Sequence, residues 1–377
     1  MYKNVLKQIG AFVCVLAVSI FGIQVGVKHY RNTLVIEKET GYVEAEGETV
    51  VEDETPEPEK TAKEEKKDYI KWIDFGITSQ AMNDAYEYDV ESYNSEVQLK
   101  WIELLAYLGA KYGGNFKNYK KKDLDHLVDR LVNQKETMES ITKDMKYYDY
   151  YYEAYSAVLG GFVGEYQIEV SKENDVSQKE WETRYGLKAY LPIAKNFPYS
   201  DYDDFGVARS YGFKRQHLGH DMMGSLGTPI VAVEGGVVEA MGWNRYGGWR
   251  IGIRSFDNKR YYYYAHLQKD HPFADGLEQG DIVQPGDLIG FMGRTGYSDK
   301  ENTNNIETVH LHFGLQLVFD ESQKECNSEI WIDVYQIVRL LSSHRASYQR
   351  LDGQWQRVYP FEDLDIPDFK PIKNGCD

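Results

Sequence analysis

From about residue 185 onwards, short apolar runs alternate with glycine and proline, and this pattern restricts the fold more than any other feature of the chain. The runs are rich in Val, Ile and Tyr, and they read PIVAVEGGVVEAMGW, WRIGIRSF, RYYYYAHL, DIVQPGDLIGFMG and HLHFGLQLVF. Short β-branched and aromatic runs between turn residues are typical of strands. Asp257 and Asn258 separate two such runs and predict a hairpin tip. We therefore expect a mainly antiparallel β domain over residues 185–325.

Three short histidine motifs fall within this β region. They read HLGHD at 217–221, YAHL at 264–267 and HLHF at 310–313. In a strand, side chains alternate between the two faces. The apolar residues of the third motif and its continuation therefore predict a core face, and His310 and His312 are expected together on the opposite face. Two neighbouring imidazoles suit a shared metal, or one metal ligand beside one acid/base group.

The first motif adds a further nitrogen and a carboxylate oxygen to this pair. Glycine and proline surround it, so we expect a turn that leads into a strand rather than a helix. One of its histidines, with Asp221 and His312, would make a set of two nitrogens and one oxygen, which is the three-ligand pattern of catalytic zinc. The residues alone leave open whether His217 or His220 is the ligand.

The order H-x-G-x-D, Y-x-H-L and H-x-H, with glycine-rich strands between the motifs, resembles the lysostaphin-type zinc endopeptidases of peptidoglycan. The runs GTPIVAVEGGVV and GDIVQPGDLIGFMGRTG are also similar to that family, and the match covers roughly residues 205–320. The resemblance implies one zinc ion per chain, bound by His217, Asp221 and His312, with His266 and His310 as the catalytic histidines. It also implies that peptidoglycan peptides are the substrate. Tyr246, in the loop RYGGW, is a candidate for the substrate groove.

Before the β region, residues 69–180 show apolar residues at helical spacing and predict an all-α domain of four or five helices. Its tyrosine cluster at 147–155 favours core packing over a binding face, since an aromatic stripe at this spacing is more often buried. After the β region, residues 326–377 predict one amphipathic helix, IWIDVYQIVRLL, followed by an irregular tail. The role of the helical domain is not readable from the sequence, and an envelope protein that binds it is one interpretation.

The N-terminal residues 1–36 predict a cytoplasmic tip and a single transmembrane helix. Ile9 to Val27 form an uncharged apolar run that is long enough to span most of a hydrocarbon core. A cleaved signal peptide is the alternative, but the run is long for one and no small-x-small cleavage site follows it. The more basic flank precedes the run, so we expect the N-terminus in the cytoplasm and the β domain outside the cell membrane.

Residues 37–68 predict a disordered acidic stalk. Residues 37–67 contain twelve acids and five bases, and Tyr42 is their only aromatic residue, so this segment lacks the apolar surface that a core needs. The whole chain has a formal net charge of −17, which argues against nucleic acid as a partner because phosphate binding needs basic patches. Outside the anchor, Cys326 and Cys376 are the only cysteines, and the sequence leaves open whether they pair.

Together these patterns predict a multidomain, membrane-anchored, extracytoplasmic zinc endopeptidase of peptidoglycan. The alternative is an envelope or sporulation assembly protein that uses the metallopeptidase fold as a scaffold. Some membrane-anchored relatives in spore-forming bacteria resemble this layout. Zinc content and hydrolysis discriminate between the two hypotheses.

Overall fold

The computed structural model describes residue 73 and residues 75–172, 175–210, 214–324 and 329–366. The predicted anchor, the predicted stalk and both Cys326 and Cys376 lie outside these ranges. Within them, no helix combines the length and the apolar character that crossing a membrane requires. The described residues belong to one compact unit, and the fold below is that of this unit.

The first part of the unit is helical, as the apolar spacing predicted. The helices are α1 (Ser79–Glu91), α2 (Trp101–Tyr112), α3 (Lys121–Val132), α4 (Met138–Thr142) and α5 (Tyr148–Leu159), with a 3₁₀ turn at Phe116–Asn118. Thr78 caps α1 by accepting a hydrogen bond from the Ala81 N–H, and Thr137 and Ser140 form a reciprocal capping box on α4. Helix α2 ends at Gly113, which adopts the left-handed conformation common at helix C-termini.

Half of the tyrosine cluster belongs to the core, because Tyr155 lies in it and Tyr148 and Tyr151 pack against it. The Tyr155 side chain is fully buried and packs edge-on against Phe75 and Phe116. Two members of the cluster, Tyr147 and Tyr152, remain exposed. The helical period of the segment therefore indicates the packed face of α5, as the sequence predicted.

The rest of the unit is mainly antiparallel β structure, as predicted. Its strands are β1 (Val163–Lys172), β2 (Asp175–Leu187), β3 (Ser200–Asp201), β4 (Ala208–Ser210), β5 (Lys214–Gln216), β6 (His220–Met223), β7 (Pro229–Val231), β8 (Gly236–Asn244), β9 (Gly248–Ser255), β10 (Arg260–Ala265), β11 (Ile282–Val283), β12 (Leu288–Phe291), β13 (His310–Leu317), β14 (Ile330–Ile332), β15 (Tyr348–Leu351), β16 (Gln354–Arg357) and β17 (Phe361–Asp363).

The main sheet has eight strands in the order β11-β8-β9-β10-β13-β6-β3, and β14 also pairs with β13. The turn between β9 and β10 contains Asn258 at a φ of 60°, so the hairpin tip predicted at Asp257 and Asn258 is confirmed. On β13, Leu311, Phe313, Leu315 and Leu317 are buried in the core, as the alternation predicted. Smaller antiparallel sheets are formed by β17-β1-β2, β7-β12, β4-β5 and β15-β16.

Two expectations about element type are wrong. The predicted helical region ends at Leu159, and the β1–β2 hairpin begins before residue 180. The single helix predicted for IWIDVYQIVRLL is a strand, β14, followed by a shorter helix α6 (Tyr335–Leu341). Strand β14 satisfies its backbone groups by pairing with β13, and the Asp333 carboxylate accepts a hydrogen bond from the Tyr335 N–H where α6 begins.

The tail that was expected to be irregular also contains strands. Strands β15 and β16 form a hairpin around Asp352 and Gly353, and both residues have positive φ. An Asp-Gly pair is a strong hairpin signal, so this turn was readable from the sequence and was missed. Strand β17 pairs with β1 and forms one edge of the three-stranded sheet β17-β1-β2. No local sequence pattern predicts this pairing.

The helices and the main sheet share one hydrophobic core. Arg260, at the start of β10, is almost fully buried and donates from Nη1 to the Ala157 carbonyl of α5 at 2.8 Å. Its Nε and Nη2 atoms donate to the Glu234 carboxylate at 2.7 and 2.9 Å. A side chain at Gly161 would collide with that same carboxylate. The helical layer is therefore joined to the sheet by buried polar contacts as well as by apolar packing.

Candidate metal centre and active site

Three side chains from the first and third histidine motifs converge on one point. Strands β6 and β13 are neighbours, and Asp221 and His312 are paired across them. His217 lies just before β6. The His217 Nε2 atom is 3.0 Å from Asp221 Oδ1 and 2.9 Å from His312 Nδ1, and His312 Nδ1 is 3.1 Å from Asp221 Oδ1. Among the described residues, these three side chains form the group of histidine and acidic residues that could hold one metal ion together.

The chemistry of this donor set fits zinc. Two imidazole nitrogens and one carboxylate oxygen are the types of atom that zinc prefers, and three protein ligands leave a position for water or substrate. The three donors are largely buried. Glycine is required at 219, because a Cβ there would lie 2.5 Å from the imidazole of His312. The H-x-G-x-D spacing thus makes room for the third ligand.

His220, the alternative ligand, points elsewhere. Its Nε2 atom is 2.9 Å from the Asp201 carboxylate, and its ring lies 5.6 Å from that of Tyr335. It is buried and does not join the three converging donors. The geometry therefore favours His217 over His220, a choice that the residues alone left open.

A second, fully buried carboxylate orients His217. Asp204 Oδ2 is 3.1 Å from His217 Nδ1, and the Asp204 backbone carbonyl is 3.2 Å from the same nitrogen. Arg209 Nη2 donates to Asp204 Oδ2 at 2.6 Å. Arg209 also donates to Asp221 Oδ2 at 3.1 Å. A carboxylate bonded to the outer nitrogen of a histidine ligand fixes the ring and its tautomer. Asp204 thus leaves the Nε2 atom of His217 directed at the other two donors.

These carboxylates also set the protonation of the cluster. Burial lowers the pKa of the His217 imidazole, but hydrogen bonds to Asp204 and Asp221 outweigh burial and raise that pKa to about 9. Burial raises the pKa of the Asp221 carboxyl, but hydrogen bonds from His217 and His312 hold it well below its usual range. At neutral pH the His217 imidazole is therefore protonated and the Asp221 carboxyl is ionised, and a cation bound between them would displace the proton of His217.

His266 and His310 lie beside this cluster. Their ring centroids are 4.8 Å apart, and the His266 ring is 5.8 Å from that of His312. The Nδ1 atom of His266 is 2.9 Å from the Thr295 carbonyl, and that of His310 is 2.9 Å from the Thr308 carbonyl. When Nδ1 donates to a carbonyl, Nε2 is the nitrogen left for chemistry. Burial lowers the pKa of His266 well below its usual value, so its imidazole is neutral.

The backbone at His266 is unusual. This residue follows the end of β10 and has a φ of 62°. A left-handed conformation at a non-glycine residue is uncommon and costs energy, and such residues concentrate at functional sites. The turn at His266 directs its imidazole into the cleft that His310 also lines. If β10 continued as a strand, the side chain would point to the opposite face of the sheet.

The five predicted residues line one cleft of 240 Å³, together with Tyr246, Tyr297, Arg209 and Arg215. Tyr246 is 40% exposed, so the candidate for the substrate groove does face the cleft. The neighbouring glycines are explained by packing, because a Cβ at Gly247 would collide with the Tyr263 hydroxyl. A larger cavity of 780 Å³ lies between residues 268–288 and the β15–β16 hairpin. It contains none of the five residues, so size alone does not mark the site.

Residues 215–325 match the model of Peptidase family M23. The chain carries an M23 peptidase domain. The matched range begins two residues before His217 and includes all five residues of the cleft named above. The resemblance to the lysostaphin-type endopeptidases is therefore confirmed for this domain.

Relatives of the M23 domain share it over a limited length. The L-Ala–D-Glu endopeptidase of Bacillus subtilis (strain 168) is 42% identical over 125 residues, which cover 33% of this chain and 36% of that protein. Lysostaphin of Staphylococcus simulans is 36% identical over 98 residues, which cover 26% of this chain and 17% of that protein. The chain thus spans about a third of the first relative and under a fifth of the second.

Among solved structures, lytM of Ruminococcus gnavus ATCC 29149 aligns over 72% of this chain and 91% of its own length, with 24% identity and a TM-score of 0.47. The catalytic domain of lysostaphin aligns over 37% of this chain and 92% of its own length, with 28% identity and a TM-score of 0.29.

Sequence reasoning missed four residues of the site. These are Asp204, Arg209, Arg215 and Tyr297. The first three lie just before or at the edge of the first histidine motif, in a segment with few regular elements, and the fourth follows β12 in a loop. No residue pattern distinguishes them from ordinary surface charges and aromatics. Their proximity to a histidine motif is the one signal that was available.

Proposed function

We propose that this protein is a zinc endopeptidase that hydrolyses peptide bonds of cell-wall peptidoglycan. The observation that carries the proposal is the convergence of His217, Asp221 and His312 within about one hydrogen-bond length of each other, with His266 and His310 beside them. The relatives of the M23 domain support the substrate class. One of them, 32% identical over 99 residues, is named a peptidoglycan DD-endopeptidase, and others are named for L-Ala–D-Glu and glycyl-glycine bonds.

His217, Asp221 and His312 would hold the zinc ion, which supplies the Lewis acidity that activates water and polarises a carbonyl group. The remaining steps belong to the chain. His266 and His310 present their Nε2 atoms to the cleft, so one can accept the proton of the attacking water. The other can donate a hydrogen bond to the developing oxyanion or a proton to the leaving amine. Tyr246 and Tyr297 form the aromatic wall against which an extended peptide would lie.

The location of the enzyme is part of the proposal. The apolar run at Ile9 to Val27 would anchor the chain in the cell membrane, with the N-terminus in the cytoplasm. The acidic segment at 37–68 would hold the catalytic unit at a distance from the bilayer. Protease digestion of intact spheroplasts tests this topology, since it should remove the M23 domain and spare the N-terminal tip.

The deciding experiment compares the full-length protein in detergent with its His312→Ala variant. We expect one zinc per chain and release of new amino groups from purified peptidoglycan, both lost in the variant. His126, which is exposed on α3, provides the matched control, and His126→Ala should keep both properties. A metal-free wild-type protein would refute the zinc site.

Zinc without hydrolysis would favour the alternative hypothesis of an assembly protein. In that case the helical layer of residues 79–159 becomes the candidate surface for an envelope protein. Co-purification of a partner from solubilised membranes, lost when exposed residues of that layer are changed, would then support the scaffold role.

A further inference from the structure

Two arginines face each other beside the metal centre. Arg209 on β4 and Arg215 on β5 are directly paired across the short hairpin, and both side chains line the 240 Å³ cleft. Like charges directly opposite on paired strands destabilise a sheet. Because both arginines lie on the cleft, we expect anionic groups nearby that compensate their positive charges.

Arg209 has such groups within the protein. It donates to Asp204 at 2.6 Å and to Asp221 at 3.1 Å, and both acceptors belong to the metal centre. Arg209 therefore stabilises those two carboxylates, and this role explains its position on the cleft.

Arg215 has no ion-pair partner among the residues that the structure describes. Its Nε atom is buried and donates to no acceptor in the described part of the chain. The guanidinium carbon lies 5.0 Å from the centroid of the Tyr297 ring, so an aromatic ring supports the group from one side. A guanidinium is a planar array of five donors that matches a carboxylate in a bidentate manner. A buried donor without an acceptor costs free energy, and a ligand that supplies the acceptor recovers it.

We propose that Arg215 binds a free carboxylate of the substrate, on the residue that contributes the nitrogen of the scissile bond. This inference rests on the proposed function. A cleft of 240 Å³ corresponds to a cube with an edge of about 6 Å, so a carboxylate on Arg215 lies close to the bond positioned by His266 and His310. In a D-glutamyl residue linked through its γ-carboxyl group, the α-carboxylate is attached to the carbon that bears the amide nitrogen, which meets this requirement.

The proposal separates two substrate classes represented among the relatives. An L-Ala–D-Glu bond carries a carboxylate next to its nitrogen, whereas a glycyl-glycine bond carries none. A carboxamide in place of the carboxylate retains the shape and loses the charge. The substrate is thus predicted to be an acidic stem peptide with a free α-carboxylate.

The test uses two synthetic peptides, L-Ala-γ-D-Glu-L-Lys-D-Ala with a free α-carboxylate and the same peptide with an α-carboxamide. For the zinc-loaded full-length protein, kcat/KM should favour the acid by about ten-fold or more, as expected for a charge-assisted hydrogen bond. Arg215→Gln should abolish the preference by slowing the acid alone, and Arg215→Lys should give an intermediate preference. Zinc content should stay at one per chain in both variants.

Arg245 provides the matched control for charge. It lies in the loop next to Tyr246, is 58% exposed in its side chain and pairs with Asp299. Arg245→Gln removes one positive charge near the cleft and should keep the full preference for the acid. A wild-type protein that cleaves both peptides equally, or an Arg215→Gln variant that slows both equally, overturns the proposal.

A binding measurement makes the proposal independent of turnover. Calorimetric titration of the zinc-loaded His310→Ala variant should show the acid peptide binding about ten-fold tighter than the amide, and His310→Ala/Arg215→Gln should bind both alike. Equal binding of the two peptides to His310→Ala contradicts the carboxylate site. Whole peptidoglycan serves as the separate test of function. If the wild-type protein releases no amino groups from it, the endopeptidase proposal fails, and the calorimetric comparison still decides whether Arg215 recognises a carboxylate.

Discussion

Substitution of Arg260 by methionine tests how much the buried polar contacts at the start of β10, an ion pair with Glu234 and a hydrogen bond to Ala157 of α5, stabilise the fold. The change removes three donor atoms, which bind the Glu234 carboxylate at 2.7 and 2.9 Å, the Ala157 carbonyl at 2.8 Å and the partly exposed Asp257 carboxylate at 3.0 Å. Glu234 is 6% exposed and would keep the Tyr262 hydroxyl as its remaining donor. Breaking a buried pair in this way costs about 3–5 kcal/mol, because the second charge stays buried without compensation.

The free energy of unfolding is measured by urea denaturation followed by tryptophan fluorescence. The double variant Arg260→Met/Glu234→Leu should recover about half of the loss, since it removes the stranded charge as well. Glu96, which is highly exposed and 3.9 Å from Lys135, supplies the control, and Glu96→Gln should change stability by less than about 0.5 kcal/mol. A loss below about 1 kcal/mol in Arg260→Met, or no recovery in the double variant, would refute the reasoning.

Three further predictions concern the metal centre. Asp204→Asn should weaken zinc affinity by about 10–100-fold, because the variant loses a carboxylate that orients His217. Competition with a chelator measures the affinity. Asp203→Asn, which changes the exposed neighbouring residue, should leave the affinity unchanged. Gly219→Ala should lower zinc content at unchanged secondary structure by circular dichroism, and full occupancy would contradict the steric argument. His266→Ala and His310→Ala should keep one zinc and reduce turnover by about 100-fold or more; loss of zinc in either would reassign it as a ligand.

The strand pattern and the motif order predicted much of the site. Alternation along HLHFGLQL placed His310 and His312 on one face of β13. The turn residues around Gly219 predicted a turn that leads into a strand, and Asp221, expected in that turn, lies on the strand itself, β6. These are local properties, in which a side chain's direction follows from its position in one strand. The pairing of β6 with β13 is not local and was not predicted; the resemblance to a known family implied only that His217, Asp221 and His312 bind the same metal ion.

Long-range contacts account for what the sequence did not reveal. Ile330 and Ile332 alternate as in a strand, whereas Ile337, Leu340 and Leu341 recur at helical spacing, so the run contains both periods. The stretch of β13 beyond its pairing with β6 provides the backbone partners for the strand. Asp204 and Arg215 lie in short segments without regular alternation, so their roles emerge only when the β4–β5 hairpin is placed against the metal centre. Burial and strand pairing are properties of the folded chain, so they cannot be assigned to individual residues from a single sequence.

The core that the helices share with the main sheet has a consequence for protein engineering. Catalytic domains of wall hydrolases are attractive as cassettes that are cut from one protein and fused to another binding module. A cassette trimmed to the matched range of residues 215–325 would expose the sheet residues that share the apolar core with the helices and would leave Arg260 without its carbonyl acceptor. A transferable cassette of this protein therefore has to include the helical layer, with a junction before α1 rather than at the domain boundary suggested by homology.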